Sequence, residues 1–124
     1  MGRILIVEDD ENRRSWFDQQ FSRHERDLTD QASVACEWLL KREYTLIFLD
    51  HDLAEEHYFL EMADDGFTGY AVASWLAQHP ERQATAQIVI HSLNYPGAKR
   101  MVDVLQSAGR QAEHVPFPYL SGLF

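Results

Sequence analysis

Two short runs constrain this chain more than anything else in it. Ile4-Leu5-Ile6-Val7 and Leu46-Ile47-Phe48-Leu49 are continuously apolar, and each stops abruptly at carboxylates: Glu8-Asp9-Asp10 after the first, Asp50-His51-Asp52 after the second. A continuous rather than alternating apolar run is the signature of a strand buried on both faces, as in a parallel sheet covered by helices. Such a strand is a rigid arm, and its last residue is held where a loop residue would wander. Asp50 and Asp52 stand two apart, so wherever the extended conformation persists their carboxylates point the same way. Charge delivered to a strand end in this manner suits a metal ion, a phosphate or a proton.

The rest of the chain alternates. A helix from about Glu11 to Ser22 buries Trp16, Phe17 and Phe21, and a short strand follows around Asp27 to Thr29. Asp30 reads as the N-cap of a helix to Arg42, with Ala32, Ala35, Cys36, Leu39 and Leu40 inward. The strand Thr45 to Leu49 leads into a long acidic connection, Ala54 to Asp65. Gly66 to Gly69 reads as a turn needing unusual dihedrals before a helix, Tyr70 to Gln78, that His79-Pro80 ends. Ile88 to Ile90 is another strand. Tyr95-Pro96-Gly97 opens a helix to about Ser107, closed by Gly109, and a last strand runs near Ala112 to Val115. Five strands alternating with four helices predict an α/β fold with a parallel sheet covered on both faces. Ligands in such folds sit beyond the carboxyl ends of the strands, where the acidic clusters and His91-Ser92-Leu93-Asn94 all fall.

With 124 residues, 45% of them hydrophobic, residues 1–124 are expected to form one domain. No apolar run approaches the roughly 20 residues that span a bilayer, and the N-terminus lacks a signal-peptide layout. Together with the lone Cys36, read as a buried thiol, this predicts a cytoplasmic protein. A net charge of −9 argues against direct nucleic-acid binding, which wants a basic face. Glu55, Glu56 and Glu61 read as solvated surface, whereas Glu8, Asp9 and Asp50 sit where hydrophobic strands stop.

At these residues the chain resembles the receiver domain of two-component response regulators, across nearly its whole length. Ile4-Leu5-Ile6-Val7-Glu8-Asp9-Asp10 is similar to the first receiver strand with its acidic pair, Asp50 to the phosphoacceptor aspartate, and Ser92 to the hydroxyl residue ending the fourth strand. The resemblance implies a flavodoxin-like (CheY-like) sandwich with strand order 2-1-3-4-5. Some features depart from it. Val115 stands before Pro116 where receivers carry a lysine, the connection from Asp50 to Gly66 is longer than the receiver loop, and the usual last helix has no room after Pro118. Asp50-His51-Asp52-Leu53, the stretch Gly66-Phe67-Thr68-Gly69-Tyr70, and His91-Ser92-Leu93-Asn94 with Gly97 and Met101 resemble a divergent branch, the cyclic-phosphate-processing receiver-like family of bacteria and phages. That resemblance implies a ligand of the cyclic-phosphate or nucleotide phosphoester class.

Carboxylates at adjacent strand ends repel unless a cation neutralises them, and a hard divalent ion with oxygen ligands, Mg²⁺ or Mn²⁺, is the natural partner. Asp9 and Asp50 are the expected ligands, with Glu8 behind them and Asp52 contributing through its backbone or carboxylate. His51 and His91 are the candidate proton carriers, since cleaving a cyclic diester needs one group to activate water and another to protonate the leaving alkoxide. Ser92 is expected to bond a phosphoryl oxygen or to cap the next turn. Asn94 offers both donor and acceptor, and the helix opening at Gly97 offers free N–H groups to an anion. Lys99 and Arg100 are the first candidates to replace the absent lysine, and Arg13 and Arg14 the next. His24, His57, His79 and His114 read as surface or structural. Two further readings stay open: a receiver that accepts a phosphoryl group on Asp50, and a pseudo-receiver that only contacts a protein partner. The apolar tail of Phe117, Pro118, Tyr119 and Phe124 could cover a bare sheet flank or serve as a homodimer contact.

Overall fold

The structure, a computed structural model, describes residues 2–52 and 68–123. Its frame is five parallel strands, β1 (Arg3–Val7), β2 (Arg26–Thr29), β3 (Tyr44–Leu49), β4 (Gln87–Ile90) and β5 (Gln111–His114), in the order β2-β1-β3-β4-β5. This is the flavodoxin-like order of the receiver fold. The helices are α1 (Glu11–Gln20), α2 (Ala32–Lys41), α3 (Gly69–Gln78) and α4 (Tyr95–Ser107).

Alternation along the strands divides the core in two. Leu5, Val7, Ile47, Leu49, Ile88 and Ile90 pack under α2, α3 and α4, against Ala35, Leu39, Val72, Leu76, Met101 and Leu105. Ile4, Ile6, Phe48 and Val89 face the other way, against Phe17 and Phe21 of α1. Each of these fully buried aliphatic and aromatic side chains contributes about 1.5–3 kcal/mol relative to exposure. Beyond β5 a short 3-10 helix, Phe117–Gly122, stands in the place expected of a last long helix. Phe117 and Leu120 cover the α1-side flank, with Leu120 fully buried and Phe117 edge-on to Trp16 at 5.3 Å. Tyr119 does not join them and stands in solvent.

Several local expectations change. Asp30 does not cap α2: the cap is Gln31, whose side chain makes no capping bond, and Thr29 Oγ1 instead accepts the Gln31 N–H at 3.1 Å. Leu40 is half exposed rather than inward. A buried Gln83 with φ of 55° ties three elements together. Its Oε1 accepts from Tyr44 N at 2.7 Å, and its Nε2 donates to the carbonyls of Leu39 and Arg42. The acidic connection Ala54 to Asp65, with His57, Gly66 and Phe67, lies outside the described residues. Among the described residues no helix is long and apolar enough to cross a membrane.

Candidate functional site

Sheet register carries three side chains to one line. Val7 pairs with Leu49 and Leu49 with Ile90. The ladder then runs one step further, with Asp50 N donating to Val7 O and His91 N to Leu49 O, each at 3.0 Å. Glu8, Asp50 and His91 are the next residues, and they share parity with Ile6, Phe48 and Val89. All three therefore turn toward the α1 layer, are buried, and bring one ligand atom each within 4.8 Å of the others. The residue level with Asp50 on β4 is thus His91. Ser92, matched in the sequence to the hydroxyl residue ending the fourth strand, is the next residue along.

The first turn of α1 closes the cluster. Asp10 caps the helix by accepting the Arg13 N–H at 2.9 Å. Arg13 then sits at the third helical position, where a side chain leans back toward the N-terminus. Its Nε donates to Glu8 Oε1 at 2.9 Å, and its Nη2 reaches Glu8 Oε2 at 3.2 Å and Asp50 Oδ2 at 3.5 Å. Glu8 Oε2 also accepts the N–H groups of Asp9 and Asp10, and His91 Nε2 lies 2.8 Å from Glu8 Oε1. Both oxygens of Glu8 are thereby filled by protein donors. His91 is held among Phe17, Phe48 and Phe117, and its Nδ1 has no hydrogen-bond partner among the described residues.

These contacts separate the two acids. Burial alone would raise Glu8, but the hydrogen bonds from His91 and Arg13 outweigh it and hold its carboxyl down to about 2. Burial, and then the fixed charge of Glu8, push Asp50 up to about 8, with Arg13 offsetting only part. Asp9 is raised by the same two causes, and burial lowers His91. One guanidinium therefore faces Glu8 and Asp50, and it meets Asp50 only at 3.5 Å, so burial and the Glu8 charge still oppose loss of the Asp50 proton. Among the described residues, the ligand atoms close enough to share one cation are those of Glu8, Asp50 and His91; Asp9, expected from the sequence as a ligand, is not in that group.

His51 and Ser92 have the opposite parity and turn toward α4. The His51 ring donates from Nδ1 to Asp52 Oδ1 at 2.7 Å, and Asn94 Nδ2 donates to the same oxygen at 3.2 Å. This leaves Nε2 as an acceptor, 3.3 Å from Arg100 Nη2. The two imidazoles thus occupy different sides of the sheet end, separated by the Asp50–His51 backbone. Ser92 is buried, and its Oγ accepts Asn94 N at 3.0 Å, so it caps the turn. Asn94 Oδ1 caps α4 through Gly97 N at 3.0 Å, so that N–H is not free for an anion as the sequence suggested. Lys99 pairs along the helix with Asp103 at 3.0 Å, both exposed. Arg14 lines a shallow groove with Glu11, Ser15, Asp18 and Leu28.

Two glycines hold this geometry, and both do so through close approach. A Cβ on Gly69 would land on the Asp50 carbonyl oxygen, and the Gly69 N–H donates to His51 O at 2.8 Å. Unusual dihedrals, the sequence-based reason for this glycine, are not involved at Gly69. A Cβ on Gly97 would meet the His51 ring, with Cδ2 at 2.6 Å. Gly97→Ala is therefore expected to displace that ring while costing the fold only about 1 kcal/mol, because the neighbour is a side chain that can rotate. Imidazole carbon–proton NMR correlations should shift for His51 and hold for His91, with a melting temperature close to the parent's.

Residues 3–107 match the family described as the cyclic-phosphate processing receiver domain. No curated protein matches the chain. Among solved structures, the response regulator TrrA of Thermotoga maritima, in complex with Mg²⁺-BeF, is similar at a TM-score of 0.69 and 18% identity, over 99% of this chain and 96% of its own. The chemotaxis protein CheY4 of Vibrio cholerae is similar at 0.68 and 15%, over 99% and 96%. The signal receiver domain of a LuxO repressor protein from Vibrio parahaemolyticus gives 0.64 and 17%, over 98% and 85%. At such identities the likeness is one of fold.

Proposed function

The chain belongs to the cyclic-phosphate processing receiver domain family, and on that premise we propose that it holds a divalent cation on Asp50 and uses this site to process or sense a phosphoester of the cyclic-phosphate class. The observation that carries the reading is the unbalanced charge at the sheet end. Asp50 is buried beside the ionised Glu8 and is pushed up to about 8. A strand end built this way is costly unless something positive arrives.

The cation, Mg²⁺ or Mn²⁺, would supply Lewis-acid polarisation of a phosphoryl oxygen. The remaining roles fall to side chains. Glu8, anchored by His91 and the Asp9 and Asp10 amides, fixes the charge of the site without being consumed as a ligand. Asp52 fixes the His51 tautomer, so that Nε2, once Arg100 releases it, is the nitrogen able to take a proton from water or return one to a leaving alkoxide. His91, filled at Nε2 and enclosed by aromatic rings, is a holder of Glu8 rather than the proton carrier. Asn94 orients Asp52, and Arg100 faces the accepting nitrogen.

A panel of cyclic nucleotides, followed by ³¹P NMR with Mg²⁺ and with chelator, tests the reading. At least one member should be opened or bound in a Mg²⁺-dependent way. Asp50→Asn should abolish that response, and His51→Gln should remove opening while leaving binding. Unchanged behaviour in both variants, or no response to any member, contradicts it. Receiver-type phosphorylation is separable in the same samples: intact mass after incubation with a small phosphodonor should show no stable addition on Asp50.

A further inference from the structure

Arg13 is the cation in contact with the acidic cluster among the described residues, and only part of it is spent there. Nε and Nη2 engage Glu8 and Asp50, while Nη1 has no hydrogen-bond partner among the described residues. The guanidinium lies over the Phe117 ring at 5.9 Å, and the side chain is 28% exposed, so it stands between solvent and the carboxylates. The other basic groups near this end are committed elsewhere, Lys99 to Asp103 and Arg100 to His51. Val115, at the end of β5, brings no charge.

Resting on the function proposed above, we infer that Arg13 is the residue that meets the phosphoryl oxygens of the ligand, and that in the ligand-free protein it competes with the divalent cation for Asp50. A planar guanidinium with an unused edge suits a phosphoryl group. Its place beside Asp50 sets it against a metal ion held there, since like charges a few ångströms apart repel strongly in a partly buried site. A bound phosphate lies between the two cations and turns that repulsion into a bridge. Arg13 thereby makes cation and phosphate binding mutually dependent. Phe117, carried by the 3-10 turn after β5, supports the guanidinium.

The inference gives Arg13 variants opposite effects on two ligands, which loss of structure cannot mimic. The full chain is titrated with Mg²⁺ alone by Trp16 fluorescence, and with inorganic phosphate at saturating Mg²⁺ by ³¹P NMR. Arg13→Ala and Arg13→Gln should each bind Mg²⁺ more tightly than the parent, by about fivefold or more. Both should bind phosphate about tenfold more weakly or worse, the loss of a charge-assisted hydrogen bond. Arg13→Lys, which keeps the charge, should return Mg²⁺ affinity to near the parent's. Weaker or unchanged Mg²⁺ binding in the uncharged variants, or unchanged phosphate binding, overturns the inference while a parent that binds both leaves the proposed function standing. A parent that binds neither ligand removes both.

Discussion

Asp50→Asn should raise the melting temperature of the metal-free protein at pH 8 and remove the stabilisation that Mg²⁺ gives the parent. The folded state holds the Asp50 proton up to about pH 8, against an ordinary value of 3.8. A folded-state acidity weaker than that of the unfolded chain means the folded protein binds more protons across this window. Its stability therefore falls as the pH rises from about 4 to 8. Glu8 runs the other way, from an ordinary 4.5 down to about 2. Its contribution is present above about pH 4.5 and is lost as the pH falls toward 2. The metal-free protein should accordingly be most stable near pH 4, as far as these two groups decide it. At pH 8 the asparagine is expected to gain on the order of 2 kcal/mol by removing a buried, under-compensated charge. That corresponds to a rise of roughly 5–10 °C. Thermal melts at pH 4 and pH 8, with Mg²⁺ and with chelator, check each part. Destabilisation by Asp50→Asn at pH 8 without metal would contradict the charge account.

Gly69→Ala is the substitution expected to damage the fold most per atom added. Its Cβ would fall on the Asp50 carbonyl oxygen, 2.8 Å from the Asp50 carbonyl carbon and 3.2 Å from His51 Cα. These are backbone atoms, and they cannot rotate away as the His51 ring can from Gly97. The N-terminus of α3 has to lift from the strand end, which strains the Gly69 N–H bond to His51 O. A cost of about 3 kcal/mol follows, the upper part of the usual range for overpacking. Because the displaced backbone carries Asp50, Mg²⁺ affinity should fall with stability, by about tenfold or more, the equivalent of about 1.4 kcal/mol or more. Chemical denaturation and Mg²⁺ titration of the same variant test the two effects together. A variant as stable as the parent, with parental Mg²⁺ affinity, would show that the close approach does not hold the site.

Much of this was legible in the sequence because burial on both faces leaves a plain signal. The apolar runs of β1 and β3 announced a parallel sheet, and the carboxylates ending them announced its functional edge. Phe117 and Leu120, in the apolar stretch after β5, pack on the α1 side of the sheet. The misreadings were local. The sequence left open which of His91 and His51 faces the acidic cluster, and the ladder from Leu49 to Ile90 turns His91 toward it. From the sequence, Arg13 ranks behind Lys99 and Arg100 as the cation of the site. Its usable signal was its spacing, three residues after the capping Asp10, which leans it back over Glu8. Gly69 was assigned to turn geometry because a close approach between segments far apart in sequence leaves no local trace. Asp30 looked like a cap by residue type, but the chain enters α2 one residue later, with Thr29 making the bond.

The central claim is that Asp50 holds a cation on which a phosphoester settles. Electron–nuclear double resonance on Mn²⁺-loaded protein addresses it in one sample. The account predicts a single tightly held Mn²⁺ without imidazole ¹⁴N coupling, because His91 is spent on Glu8 and His51 faces α4. Adding inorganic phosphate should produce a ³¹P coupling of direct coordination. Imidazole coupling, or Mn²⁺ that gains no ³¹P coupling at saturating phosphate, would contradict it.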